Sequence, residues 1–330
     1  MKGHSAIGAR IGTVALWFLG TSCAQAPAQQ AYPDKPITFV NSNAAGGVSD
    51  KITRVIARSM EKSLGKPIIV LPKPGGASVV GVAYVLRSVP DGYTVGHTCS
   101  GPIVSELMGE KLPFDVDKDM VTIGDTAASD IIIVGRPDIG VNSIEDLIAV
   151  AKKKPRQLNI GMVQSPFTVV AAAYLNKMEG IELNLVYYKG ENEAATDLLG
   201  GSIQFSMNSI GLTQQYIQSG AMKGIFLLSQ DRNPVLPDVP AVGDNRIKGG
   251  INAQITCLLF VPTGTPQFAV ERLNAALNEA VKDPALKDIY RVDGMVVPSP
   301  KTLEQARMLI PDIRKRWSVA REVIDYTKVK

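Results

Sequence analysis

The chain has 330 residues, 45% of them hydrophobic and 20% charged, with a formal net charge of +4. That length favours two domains, and the composition excludes a mainly disordered or collagen-like chain. The apolar stretch near the start, residues 11–20, is too short to cross a bilayer, which excludes a polytopic membrane protein, and the small net charge offers no basic patch for nucleic acid.

Residues 1–28 read as a cleaved signal peptide. Lys2 and Arg10 supply the positive region, residues 11–19 the apolar region, and Ala24-Gln25-Ala26 or Ala26-Pro27-Ala28 the cleavage site. Cutting after Ala28 is favoured, because a proline directly after the scissile bond makes a poor substrate. Gly20 stands where a lipid-anchor signal requires a branched apolar residue, which argues against lipidation at Cys23. Removing the two basic residues of this leader brings the net charge to +2. A nearly neutral, exported, periplasmic protein is expected.

Beyond the leader, short β-rich runs alternate with amphipathic helical patterns. Residues 37–40 read as a strand, and Ile52, Val55, Ile56, Met60 and Leu64 recur at helical spacing before Gly65 stops them. Residues 68–71 form the next strand, 72–76 a turn, 79–86 a helix and 93–96 a third strand. This β-α-β-α-β order implies a parallel sheet covered by helices.

The grammar repeats with a buried strand at 131–134 and a helix that Ser143 and Asp146 cap and Pro155 closes. Strands at 158–162, 183–187, 205–207 and 224–228 follow, with helices at 169–178 and 194–199 between the earlier ones. Val270, Leu273, Leu277 and Val281 mark one late helix face, and Ile313, Trp317, Ala320 and Ile324 another. No repeat or low-complexity linker is visible, so crossing strands rather than a tether join the two domains.

Only Cys99 and Cys257 remain after cleavage, too few for a disulfide-dense scaffold or a zinc cluster. Cys257 sits in an apolar strand-like run and reads as a buried free thiol in preference to a disulfide partner. His97 is the sole histidine left and reads as structural. With one histidine and no Gly-x-Ser-x-Gly elbow, neither a serine hydrolase nor a histidine metal site is supported, and no cofactor motif is present.

The segment from Asn43 through Ala44, Ala45, Gly46, Gly47, Val48 and Ser49 to Asp50 lies between a strand and a helix. Its glycines allow close backbone approach, and free N–H groups of the first helical turn attract anions. It is neither a P-loop nor a dinucleotide fingerprint. A plain tight turn capped by Ser49 or Asp50 explains the same residues.

Ordered motifs extend along the mature chain: Tyr32-Pro33-x-Lys35-Pro36, Ala44-Ala45-Gly46-Gly47 with Asp50, Pro74-Gly75-Gly76, and Pro90-Asp91-Gly92-Tyr93-Thr94. Tyr188-Lys189-Gly190, Asp197-Leu198-Leu199-Gly200-Gly201, Leu236-Pro237-Asp238-Val239-Pro240 and Pro262-x-Gly264-Thr265-Pro266 continue the series. In this the chain resembles the Bug receptors, the extracytoplasmic solute-binding proteins of tripartite tricarboxylate transporters. The resemblance implies a two-domain α/β fold of the periplasmic-binding-protein type II (Venus flytrap) class. Domain 1 is expected from residues 29–130 plus 252–330, domain 2 from 131–251, with two crossing strands and the ligand cleft between them.

The resemblance also implies that a ligand carboxylate is held by loops at strand ends, through backbone amides, small hydroxyls and water. The matching positions are Asn43 to Ser49 in the first loop and Ser165, Phe167 and Thr168 in the second, with Ser100, Asn208 and Ser209 as further cleft candidates. Thr168 is placed to cap the following helix. Lys189 either meets a second carboxylate or is a solvated turn residue, and Phe167 is assigned to stacking on the ligand or closing the cleft. Asp50 reads as a helix cap rather than a ligand contact, and Asp91 and Gly92 as turn chemistry.

Departures from the family pattern bear on the ligand. Asn41-Ser42-Asn43 replaces the usual Val-Pro-Phe, offering amide groups to a second polar group of the ligand. Pro166 and Phe167 stand in a loop that is normally rich in glycine and serine, and Asn208 replaces an aspartate that would repel a carboxylate. Gln204 also replaces an aspartate, which reads as surface variation. The expected function is a monomeric solute-binding protein that passes a mono- or dicarboxylate, aliphatic or aromatic, to membrane transporter subunits. A receptor for a membrane sensor kinase and an enzyme on the same bilobal fold are the alternatives, the latter opposed by the missing nucleophile–base pair.

Overall fold

Ile37–Asn41 (β1) pairs in parallel with Ile68–Pro72 (β2) on one side and Thr94–Cys99 (β3) on the other. These pairings come from a computed structural model, which describes residues 32–324 apart from Asn245 and Gly249, together with Met1 and Gly3. The charged and apolar regions of the expected signal peptide, both cleavage sites and Cys23 lie outside the described residues. The Val48–Leu64 helix covers the sheet with Ile52, Ile56, Met60 and Leu64, all buried, and ends at Gly65 with φ +70°. Burying each such side chain contributes about 1.5–3 kcal/mol.

The parallel arrangement expected from the β-α-β-α-β order covers only these three strands. Ile255–Pro262 (β10) runs antiparallel to β3 and to Met120–Ser129 (β4), completing the order β2-β1-β3-β10-β4. Sequence patterning does not single out β4, because Thr122, Asp125 and Thr126 interrupt its apolar residues. Two of these polar groups find partners: Lys301 Nζ donates to Asp125 Oδ2 at 2.9 Å, and Thr126 meets His97, while the buried Thr122 hydroxyl has no hydrogen-bond partner.

The second sheet comprises Ile131–Gly135 (β5), Asn159–Val163 (β6), Asn184–Tyr188 (β7), Phe205–Ser209 (β8) and Lys223–Leu227 (β9). Its order is β7-β6-β8-β5-β9, with β6 parallel to β7 and β8 and β5 antiparallel to β8 and β9. The Ile144–Lys153 helix starts as expected, the Ser143 hydroxyl accepting from Asp146 N–H. Trp317 and Tyr290, from the C-terminal part of the chain, are fully buried.

Cys99 and Cys257 form a disulfide, which corrects the expectation of a free thiol. They stand directly opposite one another on antiparallel β3 and β10. Cys257 is buried as its apolar run requires, but the register that pairs it lies 158 residues away in sequence.

Only Asp130 separates β4 from β5, so one residue carries the chain from the first sheet to the second. The return passes beside it: Leu228 N–H donates to Ile131 O (2.9 Å), Ala253 N–H donates to Leu228 O (2.6 Å), and β10 begins two residues later.

Candidate functional site

The loop from Asn41 to Asp50 is braced from within. Gly46 adopts φ +81°, a left-handed conformation suited to glycine, and Gly47 is the N-cap of the Val48–Leu64 helix without a side-chain bond. Asp50 is buried and accepts from Gly46 N–H (3.0 Å), Asn41 Nδ2 (3.2 Å) and Arg54 Nε (2.9 Å). Burial opposes its charge, yet the bonds from Arg54, Gly46 and Asn41 outweigh burial and hold the carboxyl below its ordinary range. Asp50 therefore ties the glycine turn to the first helical turn, but the N-cap is Gly47 and not Asp50, which corrects the expectation of a helix cap.

The amides expected to reach a ligand are spent on the same loop and on Ser78. Asn41 is fully buried, and its Oδ1 accepts from Asn43 N–H (3.1 Å). Asn43 Nδ2 donates to Ser49 Oγ (3.0 Å), and Asn43 Oδ1 accepts from Ser78 Oγ (3.3 Å). Beneath them, Thr53 Oγ1 gives its one proton to Ser49 O (2.7 Å), so it accepts from His97 Nδ1–H (2.8 Å). Thr126 Oγ1 then donates to His97 Nε2 (2.8 Å). Burial pushes the imidazole pKa down to about 4, so the ring is neutral and structural.

A cavity of about 290 Å³ opens where the chain crosses between the sheets. It brings together six of the expected residues, Ser165, Phe167, Thr168, Lys189, Asn208 and Ser209. Asn43 to Ser49 and Ser100 are not part of its lining. Ser100 is buried, with N–H donating to Thr256 O (2.8 Å) and Oγ accepting from Thr256 N–H (3.3 Å).

Ser165 and Thr168 form a reciprocal capping box at the Pro166–Glu179 helix, whose N-terminus faces the cavity through Ser165, Phe167 and Thr168. Thr168 Oγ1 donates to Val163 O (2.6 Å), fastening that helix end to β6. Phe167 packs against the buried Trp317 ring, centroids 5.4 Å apart. A Cβ placed on Gly101 would lie 3.8 Å from Phe167 Cζ, so Phe167 joins the second-sheet helix to the Gly101–Leu107 helix and the C-terminal Trp317 while also lining the cavity. Lys189 lines the cavity but is exposed, and its N–H donates to Glu193 Oε2 (3.2 Å).

Two carboxylates of the cavity escape sequence reasoning. Asp130 is 2% exposed and accepts from Asn233 Nδ2 (2.9 Å) and Gln254 Nε2 (3.0 Å). Glu191 accepts from Ser209 N–H (3.2 Å) and Ser209 Oγ (2.6 Å). A charged residue wedged against the apolar run at 131–134, and another directly after Tyr188-Lys189-Gly190, were the available signals.

A larger groove of about 600 Å³ runs along Val79, Val80, Ala83 and Tyr84. It is mainly apolar, with Lys73, Arg87 and Ser88 as its polar lining, whereas the crossing cavity gathers hydroxyls, an amide, two carboxylates and a lysine, the mark of a small-ligand site. Among the described residues, no group of three or more His, Cys, Asp or Glu side chains is arranged to hold a metal, and no helix is long and apolar enough to cross a membrane.

The profile of the tripartite tricarboxylate transporter family receptor, TctC, matches residues 52–325. The chain is 28% identical to the protein BugT of Bordetella pertussis, over 92% of this chain and 94% of that one. Among solved structures, the periplasmic binding protein BugD superposes with TM-score 0.71 at 26% identity, covering 87% of this chain and 96% of that one. MatC of Rhodopseudomonas palustris with bound malate gives TM-score 0.72 at 23% identity (89% and 100% covered), and Rpa4515 of R. palustris with adipate gives 0.74 at 21% (89% and 98% covered). The fold is thus that of two-domain periplasmic binding proteins.

Proposed function

Because the chain belongs to the TctC family of tripartite tricarboxylate transporter receptors, a family of periplasmic solute-binding proteins and not of enzymes, we propose that it captures a mono- or dicarboxylate in the crossing cavity and delivers it to its membrane transporter. The observation that carries this reading is the helix N-terminus at Ser165 and Thr168 opening on a cavity that also contains Lys189. A helix N-terminus and neutral hydroxyls satisfy a carboxylate through charge-assisted hydrogen bonds. Malate in MatC and adipate in Rpa4515 support small acids as the ligand class.

Citrate suits this cavity poorly. Asp130 and Glu191 already place two carboxylates against the single cation Lys189, and each further buried charge costs several kcal/mol without a paired cation. In this reading residues 29–130 with 252–330 form one lobe, 131–251 the other, and the Asn43–Ser49 loop meets the ligand from the first lobe on closure. The mature protein begins after Ala26 or Ala28 and acts as a monomer. Calorimetry with citrate, C4–C6 dicarboxylates and an aromatic dicarboxylate tests the proposal, and a clear preference for citrate overturns the charge argument. Mass spectrometry of small molecules released from denatured, freshly purified protein provides an independent identification.

A further inference from the structure

Asn208 is 2% exposed, lines the cavity, and leaves its Oδ1 without a hydrogen-bond partner. Its neighbour dictates which end of the amide is left over. Ser206 Oγ donates its one proton to Gly161 O (3.0 Å), so towards Asn208 it can only accept, taking Nδ2–H at 2.9 Å. The carbonyl end therefore awaits a donor. An aspartate here would set a carboxylate oxygen against a hydroxyl with no proton to give, which is a physical reason for the amide at this position.

A second observation concerns charge. Asp130 and Glu191 line the same cavity, and among the described residues neither has an ion pair. Their bonds come from Asn233, Gln254 and Ser209, all neutral. Lys189 is the one cation in the lining. A ligand bearing only carboxylates adds negative charge to this set, whereas a ligand nitrogen carrying positive charge would offset it and supply the donor that Oδ1 lacks.

Building on the receptor reading above, we infer that the ligand is an amino-carboxylate whose ammonium group donates to Asn208 Oδ1 and faces Glu191 and Asp130. Its carboxylate takes the Ser165–Thr168 helix end and Lys189. Unsubstituted and hydroxy acids can fill the same space but leave the two acids uncompensated.

Calorimetry with three matched sets tests this: succinate, malate and aspartate; glutarate, 2-hydroxyglutarate and glutamate; propionate, lactate and alanine. The amino member of the best-binding set is expected to bind at least tenfold tighter than both relatives. An unsubstituted or hydroxy member that binds as tightly overturns the inference and leaves the carboxylate reading standing. A protein that ignores every carboxylate but binds a neutral or purely cationic solute overturns the receptor reading and this inference together. Glu191→Gln retains an acceptor for Ser209 and is expected to cut the amino-to-unsubstituted ratio to threefold or less, as is Asn208→Leu. If Asn208→Leu does not fold, Glu191→Gln decides, and an unchanged ratio in that folded variant counts against the inference.

Discussion

Asp130 and Gln254 are bonded to one another across the two strand crossings, Gln254 Nε2 donating to Asp130 Oδ1 at 3.0 Å. The first residue is the whole link from β4 to β5, and the second immediately precedes β10. Gln254 Oε1 accepts in turn from Arg316 Nη1 (3.2 Å), so one amide ties both crossings to the C-terminal helix Leu309–Trp317. Gln254→Leu leaves a buried carboxylate oxygen and a guanidinium N–H unpaired. A loss of about 2–3 kcal/mol is expected in urea unfolding; a loss below roughly 0.5 kcal/mol would mean that the bond is incidental.

Ligand binding should draw the two sheets' lobes together. Micromolar affinity corresponds to about −8 kcal/mol, enough to bias an open–closed equilibrium by a few kcal/mol. The radius of gyration from solution scattering is expected to fall on saturation. Phe167→Ala, which removes the ring from Trp317, should weaken that response; scattering unchanged by ligand in the parent protein contradicts a flytrap motion.

Gly47 has φ −74° and ψ 173°, ordinary for any residue, and a Cβ there would meet only Ala44 O at 3.6 Å. Gly47→Val is therefore expected to fold with a stability change within about 1 kcal/mol. If the Asn43–Ser49 loop meets the ligand, the added side chain blocks its approach and affinity drops at least tenfold. Normal binding by the folded variant would remove this loop from the site.

His97 links stability to pH. Burial holds its folded pKa at about 4, below the ordinary value of 6.5, so between these values the unfolded chain binds the extra proton. Stability is present in full above about pH 6.5 and is lost as pH falls towards 4, by on the order of 3 kcal/mol. Denaturant unfolding across that window should show this slope, and His97→Gln should lack it. Parallel pH profiles for the two proteins would refute the assignment.

The Cys99–Cys257 disulfide predicts that the oxidised mature protein exposes no reactive thiol even in denaturant, and exposes two after reduction. Reduction is expected to cost about 2–4 kcal/mol, as cross-links of the unfolded chain generally contribute. Two thiols titrated before any reductant is added would contradict the pairing.

Much of this was readable from local pattern. The 3.6-residue spacing of Ile52, Ile56, Met60 and Leu64, the Ser143 cap and the strand at 131–134 depend on neighbours within a few residues, so the chain alone specified them. The ordered motifs from Tyr32 to Pro266 likewise sufficed to indicate the receptor family. What only tertiary structure decided involves partners far apart in sequence. Strand β4 became visible when His97 and Lys301 met its Thr126 and Asp125, the cysteine pairing when β10 entered between β3 and β4, and Asp130 when Asn233 and Gln254 arrived from segments more than 100 residues later. Asn208 is the clearest case. Its identity is plain in sequence, but the free carbonyl follows only from Ser206 having given its proton to Gly161, because hydrogen-bond capacity is a property of the folded neighbourhood and not of the residue.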